Sequence, residues 1–374
     1  MKKKIIFLVN VDSFFISHRL PIAKELLKKG YEVHIATEFT AYKKKIMRMG
    51  FKTHDINFNR NSLNLFRALV VCFQIFFLFL KIRPNIVHLI SLKPIIFGGL
   101  ICFVTPINSI VASVTGLGSM FIKKGFFFKI RETFFNIIYK IIFKYPKIIV
   151  ILQNNSDLNY LIKKSNLNKK KVKIIRGSGI ILNDFKFSKI PKNLPIILMA
   201  SRIIYDKGVF EFIEAIRYLK KIDFKGKFYL IGDIDNTNPS VIKKSTVDFW
   251  KKKKLIFYKK HQKNISNFIR KSTVLVLPSY REGFPKILME AAASGRPVVT
   301  TNVPGCKDAV LNKTTGIIVP VKNHIALAKA ILNLCKNKKK LENFGKAARK
   351  HAIKKFDIQD VVDKHLSIYN LLEK

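Results

Sequence analysis

The residue types that could do chemistry gather in Pro278-Ser279-Tyr280-Arg281-Glu282-Gly283-Phe284-Pro285, with Glu290 a short way beyond. An apolar β run, Thr273 to Leu277, leads in, and Pro285 opens a helix reading Lys286-Ile287-Leu288-Met289-Glu290-Ala291. Proline suits a first helical turn, where the amide it lacks would find no intrahelical partner. The pattern predicts free amides around Gly283 and Phe284 at a helix N-terminus, where an anion binds readily. Glu282 on the loop and Glu290 inside the helix flank that place. Phosphates on the helix end, with hydroxyl groups donating to both glutamates, describe a bound nucleotide-sugar.

Two cationic residues fall at the edge expected to face such a ligand. Arg202 follows a buried strand, and Lys207-Gly208 opens the next helix. A guanidinium fork with a lysine point charge would balance a diphosphate and stabilise it as a leaving group. Gly232 would let backbone approach the donor. Gly116 and Gly118 read either as a close loop over its phosphates or as a simple turn. Asp233-Ile234-Asp235 has the look of a metal-binding pair, but it sits in a loop rich in Asn and Pro and reads as a turn. One short loop offers few of the oxygen ligands a hard cation needs, so no metal site is expected. His18 and His88 are the histidines expected near strand ends. His18 suits an acceptor-side role, while His88 reads either as a substrate contact or as a hydrogen-bonded core residue.

The elements that must position these residues alternate. In the first half, Ile5–Val9, Val33–Ala36, Asn85–Leu89 and Ser109–Ser113 read as strands, with helices at Leu20–Lys29 and Ala41–Met49. In the second half, Pro195–Ala200, Phe228–Ile231, Leu255–Tyr258 and Val274–Leu277 read as strands, with Val209–Lys221 and Ile325–Asn333 helical. Such alternation means parallel sheets wrapped by helices. At 374 residues the chain is too long for one ordinary core. The expected class is α/β: two doubly wound, Rossmann-like domains facing across a cleft, 1–176 and 177–357, with a C-terminal helix at 358–374 packing back on the first.

Composition narrows the partners. The chain is 48% apolar, which excludes disorder, and carries a formal net charge of +47. That charge calls for an anionic partner, or reflects compositional bias spread over solvated faces. The four scattered cysteines, Cys72, Cys102, Cys306 and Cys335, argue for a reducing compartment without disulfides or zinc. The N-terminal Lys2-Lys3-Lys4 and Ile5 to Val9 imitate a signal peptide, but Asn10 and Asp12 end the apolar run too early. Ala68–Leu80 is apolar yet falls short of the roughly 20 residues a span needs and reads as a core helix. Phe126–Lys144 is rich in Phe and Ile and is surrounded by Lys123, Lys124, Lys129, Arg131, Lys140, Lys144 and Lys147 against the single Glu132. It reads as a basic amphipathic helix on an anionic bilayer, with a core helix as the alternative.

Ser201 to Gly208, Leu230-Ile231-Gly232, Pro278 to Pro285, Glu282 with Glu290, and Gly295-Arg296-Pro297-Val298-Val299 together resemble the family-4 group of retaining glycosyltransferases with the GT-B fold. Phe15 to Pro21 and Thr115-Gly116-Leu117-Gly118-Ser119 narrow the likeness to bacterial enzymes that extend polyprenyl-diphosphate-linked sugars, N-acetylhexosaminyltransferases among them. The resemblance implies that Arg202 and Lys207 hold the donor diphosphate and that Glu282 lies by the transferred sugar. It also implies that Gly283, Phe284 and Pro285 lie near it, with Lys286 adding phosphate charge and Glu290 taking the ribose hydroxyls. UDP is the implied nucleotide, and the reaction is metal-independent, without a further cofactor. The implied partners are a lipid-linked saccharide and the inner face of the bacterial cytoplasmic membrane. The acceptor belongs to glycoprotein, lipopolysaccharide or capsule assembly. Relatives carry a histidine after a central strand of the first domain, where this chain reads Val111 to Gly118 without one. A UDP-N-acetylglucosamine 2-epimerase would share the fold but use no acceptor. A nucleic-acid-binding protein would share only the charge, and no recognition motif supports it.

Overall fold

A computed structural model describes residues 2–58, 65–117, 125–236 and 238–373. Gly118, Ser119, Lys123 and Lys124 lie outside these. The chain divides into two compact units, one of Met1–Ser178 with Gln359–Lys374 and one of Gly179–Ile358.

In the first unit the strands are Lys4–Val11 (β1), Glu32–Glu38 (β2), Lys52–Asp55 (β3), Ile86–Ile90 (β4), Ser109–Val114 (β5), Ile148–Leu152 (β6) and Val172–Ile174 (β7). They pair in parallel in the order β3-β2-β1-β4-β5-β6-β7. β4, β5 and β6 are buried along their whole length, as continuous apolar runs in a two-sided parallel sheet should be. The period of two sorts their side chains. Ile6, Leu8, Val87, Leu89, Ile110 and Ala112 share one core with the helices Leu65–Ile82, Leu92–Ile101 and Phe126–Ile142. Phe7 and His88 point the other way, toward the C-terminal helix Ile358–Glu373. There Tyr369 meets His88, and Ser109 donates to the carbonyl of Leu372.

The Leu65–Ile82 helix gives Val71, Ile75, Phe79 and Ile82 to this core. Each such buried side chain is worth roughly 1.5–3 kcal/mol over an exposed one. Phe126–Ile142 contributes Phe135, Ile138, Tyr139 and Ile142 in the same way. A core role thus holds for one face of each helix. Their opposite faces, with Phe73 and Phe77 on the first and Ile130, Phe134 and Ile137 on the second, are exposed. Among the described residues no helix is long and apolar enough to cross a membrane.

In the second unit the strands are Ile196–Ala200 (β8), Lys227–Ile231 (β9), Phe257–Lys259 (β10), Val274–Leu277 (β11), Val298–Thr301 (β12) and Gly316–Val319 (β13). They too run parallel, in the order β10-β9-β8-β11-β12-β13. Strand order reverses between β1 and β4 in one unit and between β8 and β11 in the other. Loops leave to opposite faces at a reversal and open a crevice at the carboxyl ends of the strands.

Candidate active site

The second unit's reversal point holds the clustered residues. From β8 the chain passes Arg202, makes a 3-10 turn at Tyr205–Lys207, and enters the helix Val209–Lys221 with Gly208 as its N-cap. From β11 it passes Pro278 to Pro285 into the helix Lys286–Ala293. The two loops are stitched together, for the Tyr280 amide donates to the Asp206 carbonyl at 2.9 Å. The Tyr280 hydroxyl also donates to Glu211 at 2.6 Å. Across this seam Lys207 Nζ forms a short ion pair with Glu282 Oε1. Ser279 Oγ donates to the same carboxylate oxygen at 2.7 Å. The paired side chains keep only 17% and 12% of their surface exposed. Little water reaches the pair, so its charge-assisted bonds are strong and geometrically definite.

The helix after Glu282 begins one residue later than its sequence suggests. Pro285 is the N-cap, with extended ψ of 119°, and Lys286 is the first helical residue. Glu290 lies one turn on, nearly buried, and burial pushes its carboxyl up to about 6. Lys286 Nζ, 3.9 Å from Glu290 Oε1, pulls the other way. The Phe284 ring is turned into the core, edge-on to Phe356 at 5.8 Å. It anchors the loop, and what it offers a ligand is backbone.

Arg202 is half-exposed and donates to Asp235 Oδ2 at 2.9 Å. That bond, with the His261 amide donating to Asp233 Oδ1, ties the Asp233–Asp235 loop to its neighbours. Gly232 earns its residue type from the protein itself. At its φ of 152°, a Cβ would stand 1.8 Å from the Ser201 carbonyl oxygen. Beside it Asp233, Ile234, Asn236, Lys244 and Tyr258 line a cavity. Among the described residues no group of three or more His, Cys, Asp or Glu side chains is arranged to hold a metal ion.

His18 and Gly116 belong to the first unit. His18 ends the helix Asp12–His18 that follows β1, stacked on Phe14 at 4.1 Å, with Nδ1 2.7 Å from Ser17 Oγ. Gly116, at φ 121°, follows β5. His88 is fully buried, with Nδ1 2.8 Å from the Tyr369 hydroxyl and Nε2 2.7 Å from Ser113 Oγ. Both ring nitrogens are satisfied inside the core.

Several residues of these neighbourhoods escaped the sequence reading. Ser279 was legible as a hydroxyl three positions before Glu282. Gly305, after Val303-Pro304, turns at φ 79° against the Glu282-Gly283 loop, and a Cβ there would meet the Gly283 carbonyl oxygen at 2.4 Å. Asp235 as partner of Arg202 had no local signal. Nor had Ser91, which follows β4 at the first unit's reversal point with φ 70° and ψ 173°, a region that glycine almost alone adopts.

Comparison with known proteins agrees with this fold. A family model described as glycosyl transferase 4-like matches residues 4–155, and one described as glycosyl transferases group 1 matches residues 181–351. The chain is 29% identical to an N,N'-diacetylbacillosaminyl-diphospho-undecaprenol alpha-1,3-N-acetylgalactosaminyltransferase of Campylobacter jejuni, over 98% of both chains. A crystal structure of a glycosyltransferase from Rickettsia africae shares the fold at a TM-score of 0.78, with 23% identity, covering 100% of this chain and 99% of that one. HepE from Anabaena, solved in complex with UDP, shares it at a TM-score of 0.79, with 16% identity, covering 99% and 100%. The two matched segments, the parallel sheets and the residues gathered at the second reversal point lead to one statement: the chain is a glycosyltransferase of the GT-B fold, with a glycosyl transferase 4-like first half and a group 1 second half.

Proposed function

We propose that this glycosyltransferase moves an N-acetylhexosamine from a UDP-sugar to a saccharide carried on a polyprenyl diphosphate, with retention of configuration at the transferred carbon. The observation that carries the reading is the Lys207–Glu282 pair with Ser279, on the loop that leads into the helix bearing the nearly buried Glu290, at a strand-order reversal. The Campylobacter jejuni relative's printed name supports the acceptor class, and the UDP complex of HepE supports the nucleotide.

In this reading Glu290 accepts from the ribose hydroxyls. Lys207 and Arg202 balance the diphosphate, with Lys286 adding charge at the helix start. The bond between the anomeric carbon and the diphosphate oxygen breaks. A bond from the acceptor hydroxyl forms on the same face, and the hydroxyl proton passes to the departing phosphate oxygen. Negative charge grows on UDP as it leaves, and fixed cations in a site shielded from water stabilise that growth most. Glu282, held by Lys207 and Ser279, faces the sugar hydroxyls and carbocation-like charge. Gly283, Phe284 and Pro285 offer backbone at the helix start, while Gly232 and Gly116 shape the loops around the donor. His18 serves the acceptor. The cations do the work of a metal, so transfer continues in chelator.

The enzyme works at the inner face of the cytoplasmic membrane, where Lys129, Lys140 and Lys144 on the Phe126–Ile142 helix and its exit meet anionic headgroups. The test is a screen of nucleotide-sugars against a polyprenyl-diphosphate-linked saccharide, read by mass spectrometry. A product heavier by one N-acetylhexosamine, formed from the UDP donor in the presence of chelator, is expected. Conversion of the donor with no change in acceptor mass would reject transfer in favour of epimerisation.

A further inference from the structure

An apolar helix face normally lies buried, and a broad bare one marks an interaction site. The Leu65–Ile82 helix is apolar all round, yet only half of it is covered. Leu69, Phe73 and Phe77 are 52%, 61% and 64% exposed along one stripe. On Phe126–Ile142, Ile130, Phe134 and Ile137 are 54%, 57% and 54% exposed. Both helices bury their other faces in one core on one side of the same sheet, with Leu92–Ile101 packed against each of them. Their bare stripes therefore look outward from a single helix layer.

Charge on this layer is predominantly positive, with Glu132 the one acid of the two helices. Leu65–Ile82 contains no acidic residue, and its cations, Arg67 and Lys81, sit at its two ends. Its one mid-helix amide, Gln74, accepts from the Asn57 amide at 3.3 Å. Glu132, the acid of the other helix, accepts from the Tyr160 hydroxyl at 2.5 Å. Gln74 and Glu132 are thus taken up by the protein, while the outward face of Leu65–Ile82 keeps hydrocarbon and terminal cations.

We infer that the Leu65–Ile82 stripe is a second membrane-seating element, which enters the acyl layer of an anionic bilayer while the Phe126–Ile142 helix, across Leu92–Ile101 in the same layer, engages the headgroups. The inference rests on the membrane-face reading above and adds hydrocarbon contact to it. The occupant is a bilayer, since a hydrocarbon stripe capped by cations at both ends and flanked by basic residues matches acyl chains bounded by anionic headgroups. The two helices then divide the work. Salt weakens the headgroup contacts, and it leaves the hydrocarbon contact in place.

The test is flotation of the full chain with phosphatidylcholine vesicles, with and without phosphatidylglycerol, at low and high salt. Phe73→Ser with Phe77→Ser should lower partition into phosphatidylglycerol vesicles by about tenfold or more at both salt levels. Phe73→Leu with Phe77→Leu should restore it. Lys140→Glu with Lys144→Glu should lose binding mainly at low salt. Transfer to a water-soluble short-chain acceptor should be unchanged in the serine variant. Unchanged partition of that variant would overturn the inference, as would its conversion from oligomer to monomer with vesicle binding intact, which would assign the stripe to a second copy. Absence of transfer by the wild-type chain to any acceptor would reject the proposed function, and the flotation result would still decide the stripe.

Discussion

At the scale of residues, Lys207 and Glu282 hold each other. Removing either leaves an almost buried charge with no counter-charge, which costs stability. Lys207→Ala and Glu282→Ala should each destabilise the second unit by roughly 2–4 kcal/mol, toward the lower end because the pair keeps some water contact. Turnover should fall about 100-fold or more in each. Lys207→Met with Glu282→Met should recover much of the stability and none of the turnover. Urea unfolding and initial rates measured in parallel check this, and recovery of turnover in the double variant would sink the catalytic assignment. Glu290 gives a different handle. Ribose hydroxyls donate best to an ionised carboxylate, and burial holds this carboxyl at about 6. UDP affinity should therefore rise as pH rises through about 6 and level off above it. In Glu290→Gln that pH dependence should vanish, with affinity lower by about tenfold. Titration calorimetry across this range is the measurement, and an unchanged pH profile in the variant would remove Glu290 from the ribose. The glutamates, Arg202 and Lys207 were legible in the sequence because their types and their places after strands suffice to nominate them. The partnership of Arg202 with Asp235 was not, since it joins loops after two different strands and only the folded sheet brings them together.

At the scale of elements, the candidate site in the second unit depends on one loop resting on another. Gly305 lets the turn after β12 approach the Glu282-Gly283 backbone, and any side chain there would collide with carbonyl oxygens that cannot swing away. Gly305→Ala should cost about 2–4 kcal/mol, strain at positive φ plus displacement of the loop. It should weaken UDP binding, although residue 305 need touch no nucleotide. Gly30→Ala is the control: its φ of 84° is equally left-handed, but a Cβ there meets nothing within 4 Å. It should cost only the backbone strain, about 1–2 kcal/mol, with UDP binding unchanged. Equal losses of UDP affinity in both variants would show that contact with the Glu282-Gly283 loop is not what Gly305 provides. Strand positions were legible because parallel strands buried on both faces leave unbroken apolar runs, as in Val274–Leu277. The exposed half of Leu65–Ile82 was not, because a helix apolar on every side has no polar stripe to reveal which face the core takes.

At the scale of the whole molecule, the two units answer pH in opposite senses. The first unit buries histidines in neutral form: burial pushes His365 down to about 3 and His54 to about 4, and lowers His88 and His34 as well. A group whose folded pKa is depressed contributes stability above its unfolded value of 6.5, and that stability drains away as pH falls below it. At about pH 5 a fully buried histidine such as His365 withholds about 2 kcal/mol, from 1.36 kcal/mol per unit, and His88, lowered by the same burial, acts in the same direction. Asp12, hydrogen-bonded by the amides of Thr40, Ala41 and Tyr42, is held below its usual range despite the opposing effect of its burial, so it too loses stability in acid. In the second unit Glu290 runs the other way. Its folded value is raised from 4.5 to about 6, so its contribution is complete below about 4.5 and is lost as pH rises through about 6. Acidification from about pH 7 to about pH 5 should therefore loosen β1, β4 and the Ile358–Glu373 helix while sparing β8 and β11. Amide hydrogen exchange, read by mass spectrometry on peptides from each unit, should show protection falling first around His88 and Tyr369. His365→Phe should reduce the acid sensitivity of those peptides, because it removes one of the two fully buried histidines that titrate there. If peptides of both units lose protection together, the opposed linkage is wrong and the chain unfolds as one cooperative body.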